Sequence, residues 1–125
     1  MKFSTKAEYG LRAIIHLAKT EEPVSLASIA KKEHLSLSYL ERIFSVLKKN
    51  NIIESFKGVN GGYLLTKPAD QVTVGQIISV LEGGLYKFEC QGCTVSNCTL
   101  QPVWDKLHNQ IDKTLNSITL KSLIK

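Results

Sequence analysis

Two short amphipathic segments followed by a glycine-rich hairpin constrain the fold of this chain more than any other feature. Ser25 is suited to cap the first segment, whose apolar stripe consists of Leu26, Ile29 and Ala30. A tight turn at residues 34–36 precedes the second segment, whose apolar residues recur at helical spacing at positions Leu40, Ile43, Phe44 and Leu47. Two short helices joined by about three residues are typical of a helix-turn-helix motif.

The hairpin follows directly. Residues 52–56 read as a strand, residues 57–62 as a turn and residues 63–65 as the returning strand. Gly58, Gly61 and Gly62 in the turn can adopt the positive φ angles that a hairpin tip needs. A hairpin placed after a helix-turn-helix is a wing, and Lys57 and Asn60 at its tip could reach a DNA groove or phosphates.

The polar face of the second segment has the side chains of a DNA-reading helix. Opposite its apolar stripe lie Ser38, Arg42, Ser45 and Lys49, with Glu41 at the edge. Small hydroxyl groups allow close approach, while Arg and Lys contact base edges or phosphates. An ordinary solvated face is the alternative, and the following wing favours DNA. The formal net charge of +5 also suits an anionic partner.

Three further helices are predicted. Thr5 and Glu8 form a capping-box pattern that opens a helix over 5–20, and residues 73–81 form another. Pro102 fits the first position of a long last helix reaching Ser117. Its apolar residues form a coiled-coil-like seam of Trp104, Leu107, Ile111, Leu115 and Ile118. Packing on its own domain is the alternative, but so small a domain has limited apolar surface to cover an entire helix, which favours pairing with a second chain.

The predicted fold class is therefore mainly α, with a winged helix-turn-helix domain and a long dimerisation helix. The expected division is a DNA-binding domain at 1–83, a cysteine sensor loop at 84–101, and the dimerisation helix with a C-terminal segment at 102–125. The N-terminus lacks the apolar core of a signal peptide, and no apolar run is long enough to span a membrane. These features predict a cytoplasmic protein with reduced thiols.

The only cysteines, Cys90, Cys93 and Cys98, lie within nine residues. Three thiols are one too many for a disulfide and one too few for a four-ligand zinc or iron–sulfur site. An iron–sulfur cluster, a metal-free thiol switch and a zinc site that adds His108 all remain open. The pair Cys90 and Cys93 also matches a redox dithiol, but no βαβ pattern accompanies it, so an enzyme is not expected.

Four segments together carry a resemblance to a known family. Residues 4–12, 35–50, 57–65 and 115–120 resemble the Rrf2 family of bacterial winged-helix transcription regulators. The resemblance implies a homodimer that binds palindromic operators, with recognition helices in successive major grooves and wings near the minor groove. It maps the recognition positions to Ser38, Tyr39, Glu41 and Arg42, and the wing positions to Lys57, Gly58 and Asn60. Glu41 can accept a hydrogen bond from cytosine N4, which would select sequence rather than add affinity.

The resemblance also implies an iron–sulfur cluster, of the 2Fe–2S or 4Fe–4S type, on the three cysteines. Two and four residues separate the thiols here, which is tighter than the usual family spacing. Some relatives use a histidine as fourth ligand where this chain has Gln101. Others use an acidic residue from the first helix of the opposite subunit, and that position is Glu8. His108 is the next candidate, followed by His16 and His34.

The function so implied is a transcriptional regulator, most simply a repressor, that senses iron–sulfur status, nitric oxide or redox state. The alternative is a metal-free regulator of the same fold that responds through its thiols or to a small effector.

Overall fold

The computed structural model describes residues 4–82 and 99–124. The helices and strands are α1 (Thr5–Ala18), α2 (Leu26–Glu33), α3 (Leu37–Lys49), β1 (Ile53–Phe56), β2 (Gly62–Leu65), α4 (Val74–Glu82), α5 (Gln101–Ser117) and α6 (Leu120–Leu123). A short 3-10 turn at Ala69–Gln71 precedes α4. The described chain is mainly helical with one two-stranded sheet, which confirms the predicted fold class.

Serines begin the first three helices. Ser25 and Ser36 cap α2 and α3, each accepting a hydrogen bond from a backbone N–H in the first turn. The cap of α1 is Ser4, whose Oγ accepts from the N–H of Ala7 at 3.2 Å. The predicted capping box of Thr5 and Glu8 is therefore wrong, because Thr5 is already the first helical residue.

The core forms around α3. Its four apolar residues, Leu40, Ile43, Phe44 and Leu47, are fully buried, as the periodicity predicted. They pack in one cluster with side chains of α1, α2 and α4, and the ring of Phe44 meets that of Tyr63 edge to face at 5.1 Å. Because one side of α3 is fixed in this core, its opposite side faces solvent.

The wing is an antiparallel pair in which Ile53 opposes Leu65 and Phe56 opposes Gly62. A backbone contact joins it to the entry of α2, since Val24 and Tyr63 exchange N–H···O bonds of 3.0 and 2.9 Å. Gly62 has a φ of 153°, and a Cβ there would lie 2.5 Å from the carbonyl carbon and oxygen of Val24. Only glycine fits this close approach.

The C-terminal end of α5 packs against other helices of its own chain. Leu115 and Ile118 pack against a second small cluster that contains Ala7, Val74 and Ile78. These two seam residues therefore have contacts within their own chain, which was the alternative considered for the seam. Their participation in a dimer interface stays a prediction.

Candidate DNA-binding face and sensor region

The outer face of α3 brings the predicted recognition residues together. Five of them are exposed on the side opposite the core: Ser38, Glu41, Arg42, Ser45 and Lys49. The hydroxyl oxygens of Ser36 and Ser38 are 3.0 Å apart at the start of the helix. The face offers two hydroxyl groups, a carboxylate, a guanidinium and an ammonium group. These groups suit contacts with base edges and phosphates.

Tyr39 differs from its neighbours because it is half-buried against α1. Its ring meets the ring of Tyr9 edge to face, with centroids 6.0 Å apart. The guanidinium carbon of Arg12 lies 5.9 Å from the centroid of Tyr9. Sequence reasoning missed Tyr9 as a neighbour of the recognition helix, because no local pattern reports a contact between α1 and α3.

The predicted wing residues lie at the hairpin tip. Lys57, Gly58 and Asn60 are exposed, and Val59 between them is fully exposed. The turn closes through a 3.0 Å bond from the N–H of Gly61 to the carbonyl of Gly58, whose φ is 110°. The tip thus presents a cation, an apolar side chain and an amide on a narrow loop.

Glu8 is available at the surface of the first turn of α1. Its carboxylate accepts a hydrogen bond from Arg12 at 3.0 Å, and both side chains are about half exposed. One turn earlier, Ser4 donates from its N–H and its hydroxyl to the carboxylate of Glu82, at 3.0 and 2.5 Å. Glu82 is the last residue of α4, so the start of α1 lies beside the entry to the cysteine segment.

The three cysteines lie outside the described residues, so the predicted ligand set stays a prediction. Within residues 4–82 and 99–124, no group of three or more His, Cys, Asp or Glu side chains forms a metal site. The donor chemistry itself fits iron, because thiolates hold iron–sulfur clusters and a carboxylate can complete such a set. Glu8 fits this role in one respect, since its carboxylate is accessible from solvent.

The histidines have different surroundings. His16 Nε2 lies 2.9 Å from Glu33 Oε1, which links α1 to α2. His34 takes the left-handed conformation that ends α2. The Nδ1 of His108 is shielded from solvent and has no hydrogen-bond partner among the described residues. A role in holding the helices together therefore accounts for His16, and a role in the turn accounts for His34.

The fold and this exposed face define a winged-helix DNA-binding protein. The sequence model of the Rrf2 family, described as an iron-dependent transcriptional regulator, matches residues 3–125. The chain belongs to the Rrf2 family of transcription regulators, which confirms the resemblance.

Individual relatives agree with this assignment. The chain is 38% identical to the transcriptional regulator IscR of Cronobacter sakazakii, over 99% of this chain and 80% of that protein. It is similar in structure to CymR, the global cysteine regulator of B. subtilis, with a TM-score of 0.87 and 37% identity over 98% of this chain and 95% of that one. The structure of IscR from T. potens is similar with a TM-score of 0.82 and 40% identity, over 98% of this chain and 85% of that one. These relatives are regulators and not enzymes, as predicted for this chain.

Within the described ranges, no helix is both long enough and apolar enough to cross a membrane.

Proposed function

We propose that this regulator is a homodimeric repressor that binds palindromic operators and senses its signal through an iron–sulfur cluster. The observation that carries the DNA-binding part is the exposed polar face of α3 beside the wing. The cluster part rests on the three thiols that precede α5 and on the family's description as iron-dependent.

Each exposed group has a role in DNA recognition. Arg42 can donate two hydrogen bonds to guanine, Glu41 can accept one from cytosine N4, and Lys49 can neutralise a phosphate. Ser38 and Ser45 let the helix approach the floor of the major groove. At the wing, Lys57 and Asn60 have the donors that the minor groove and its phosphates accept, and Gly58 allows the loop to come close.

Exposed apolar residues of α5 support pairing with a second copy of this chain. Leu100, Val103 and Leu107 are each at least 40% exposed, and no residue of α5 is fully buried in the single chain. Residues spaced three and four apart share one side of a helix, and exposed apolar surface on one side is typical of an interaction site. A dimer formed along Trp104, Leu107 and Ile111 would bind successive major grooves if its two recognition helices lie about one helical turn of DNA apart, ~34 Å.

In the proposed sensor, Cys90, Cys93 and Cys98 of one subunit and Glu8 of the other would hold the cluster. When bound, the cluster would supply an iron centre that responds to oxidants, nitric oxide or iron supply. The carboxylate of Glu8 is bound by one exposed guanidinium only among the described residues, so little has to be broken before it can turn to iron. An oxygen ligand is also exchanged more easily than a thiolate, which suits a sensor.

The DNA-binding proposal is tested by selecting operators from a randomised duplex pool with the purified protein. We expect an inverted repeat, and an affinity that falls steeply with salt concentration. Recovery of no enriched sequence, together with binding independent of salt, would contradict the proposal.

The cluster proposal is tested by anaerobic purification. We expect a brown protein with visible absorption and with iron and acid-labile sulfide in matching amounts. Glu8→Ala should shorten the lifetime of the cluster in air, whereas the matched change Glu21→Ala in the exposed turn after α1 should not. A colourless protein that carries zinc would overturn the cluster and favour a zinc-stabilised regulator.

A metal-free thiol regulator is the second candidate, favoured by the similarity to a regulator described as controlling cysteine. Cys98 lies shortly before α5, and a helix N-terminus favours the thiolate form. This candidate predicts that cluster-free protein changes its DNA affinity when treated with peroxide and recovers it with a thiol reductant. An affinity unaffected by either reagent would leave a small effector as the remaining signal.

A further inference from the structure

The junction between α4 and the dimerisation helix α5 is built around one side chain, Asn116. Its Oδ1 accepts a hydrogen bond of 3.1 Å from the hydroxyl of Thr73, which lies 43 residues away in the chain. Its Nδ2 donates to the carbonyl and the carboxylate of Asp112, at 2.9 and 2.7 Å. Both ends of this amide are therefore used, one within α5 and one across to the start of α4.

Gly75 in the first turn of α4 makes room for this amide. A Cβ at position 75 would lie 2.5 Å from Oδ1 of Asn116, 2.8 Å from its Cγ and 3.2 Å from its backbone nitrogen. These distances are shorter than van der Waals contact, so a Cβ at position 75 would displace the amide of Asn116 and press on its backbone nitrogen. The buried Gly75 and the side chain of Asn116 thus form a direct contact between α4 and α5.

Backbone bonds hold the chain on either side of this contact. The N–H of Val74 donates to the carbonyl of Ile118 at 2.8 Å, and the N–H of Leu120 donates to the carbonyl of Val72 at 2.9 Å. Among the described residues, Leu115 is the one member of α5 that joins a hydrophobic cluster. The C-terminal part of α5 is therefore attached to the DNA-binding body through Leu115, through Asn116 and through the backbone bonds just beyond the helix.

A long helix amplifies a change of angle made at one of its ends. The 17 residues of α5 span about 25 Å, so turning the attached end by about ten degrees would displace the other end by about 4 Å. That displacement is close to one base-pair step of DNA, about 3.4 Å. In a dimer formed along α5, a small change at residue 116 would therefore change the distance between the two recognition helices.

We infer that Asn116 is a positioning residue that determines which half-site spacing the dimer selects. The inference rests on the proposed function, because it needs a dimer formed along α5 that binds two half-sites. It adds a source of specificity that touches no base. Sequence would be read by α3 and the wing, and spacing by the angle at which Asn116, Thr73 and Gly75 hold α5.

The test uses the full chain and the operator selected by the wild-type protein. Duplexes are prepared with the spacer between half-sites shortened or lengthened by one and two base pairs, together with a duplex carrying one half-site. We expect wild type to show a sharp optimum. Asn116→Ala should lose about tenfold in affinity at that optimum, about 1.4 kcal/mol, and change little on the other spacers and on the single half-site. The result is a flat spacing profile.

Asn109→Ala is the matched control, because Asn109 is exposed on the same helix and has no side-chain hydrogen bond within the described ranges. It should keep the wild-type profile. Asn116→Asp retains an acceptor for Thr73 but faces the carboxylate of Asp112. This variant should also flatten the profile, and it supplies the test if the alanine variant does not fold.

Gly75→Ala gives the opposite distortion, since its methyl group would wedge the junction rather than loosen it. We expect its optimum to move by about one base pair, and Asn116→Ala in the same chain to remove that shift. Folded Asn116 variants with the wild-type profile would overturn the inference. Failure of wild-type protein to select any paired half-sites would instead overturn the proposed function.

Discussion

α3 and α5 are both amphipathic helices with regularly spaced apolar residues, yet they are used in opposite ways. Four residues of α3 are fully buried in the chain's own core, whereas none of α5 is. Leu107 on α5 is 40% exposed, while Leu40 on α3 is inaccessible. The same pattern thus describes one helix whose apolar side is buried within the chain and one whose apolar side stays partly exposed in the single chain.

The largest expected effect on stability comes from truncating a buried residue of α3. Phe44→Ala should lower the free energy of unfolding by about 3–5 kcal/mol, because it removes a fully buried ring from the core. Urea denaturation at one protein concentration measures the change. Leu107→Ala, an apolar truncation on α5, should cost far less when measured on the monomer. Equal losses would show that α5 is as buried in its own chain as α3.

A charge introduced on the exposed apolar side of α5 tests whether that side forms the proposed dimer interface. Leu107→Glu should weaken dimerisation about a hundredfold, about 2.7 kcal/mol, since it would place a carboxylate in the proposed seam. Sedimentation equilibrium measures the association constant. Asn109→Glu adds the same charge to the opposite side of α5 and should leave the association constant near the wild-type value. If both variants dimerise like wild type, the seam is not the interface.

The wing depends on a backbone contact, and breaking that contact should have the next largest effect. Gly62→Ala should destabilise the protein by about 2 kcal/mol, because its Cβ would collide with the backbone of Val24 at a positive φ. Gly58→Ala is the matched control, since its φ is also positive but no atom lies within 4 Å of the added Cβ. In thermal unfolding, the melting temperature of Gly62→Ala should therefore be clearly lower than that of Gly58→Ala. The reverse order would contradict the role of the Val24 contact.

The exposed face of α3 should affect binding without affecting stability. Arg42→Ala should reduce operator affinity about tenfold, about 1.4 kcal/mol, while the melting temperature stays near wild type. Fluorescence anisotropy with the selected operator measures the loss. Lys19→Ala removes one exposed cation at the end of α1 and is the control for net charge. A loss as large in the control would mean that Arg42 contributes charge alone.

Local patterns were enough for the DNA-binding elements. The helix-turn-helix and the wing follow from apolar periodicity, serine caps and turn glycines, all of which act within a few residues. The one-residue error in the cap of α1 has the same origin, because Ser4 and Thr5 are both residue types that can cap a helix. Glu82 accepts hydrogen bonds from Ser4, and this contact between residues 78 positions apart has no local signature.

The sequence by itself determined the helices, the hairpin and the exposed chemistry of α3, because short-range backbone preferences and the burial of apolar residues are encoded in spacing. It also singled out the three cysteines, and the resemblance to the family added Glu8 as a candidate ligand. Only the tertiary structure decided how these parts are joined. The contact of Gly62 with Val24 and that of Gly75 with Asn116 depend on backbones meeting across long stretches of chain, and such close approach is visible only once the helices have packed.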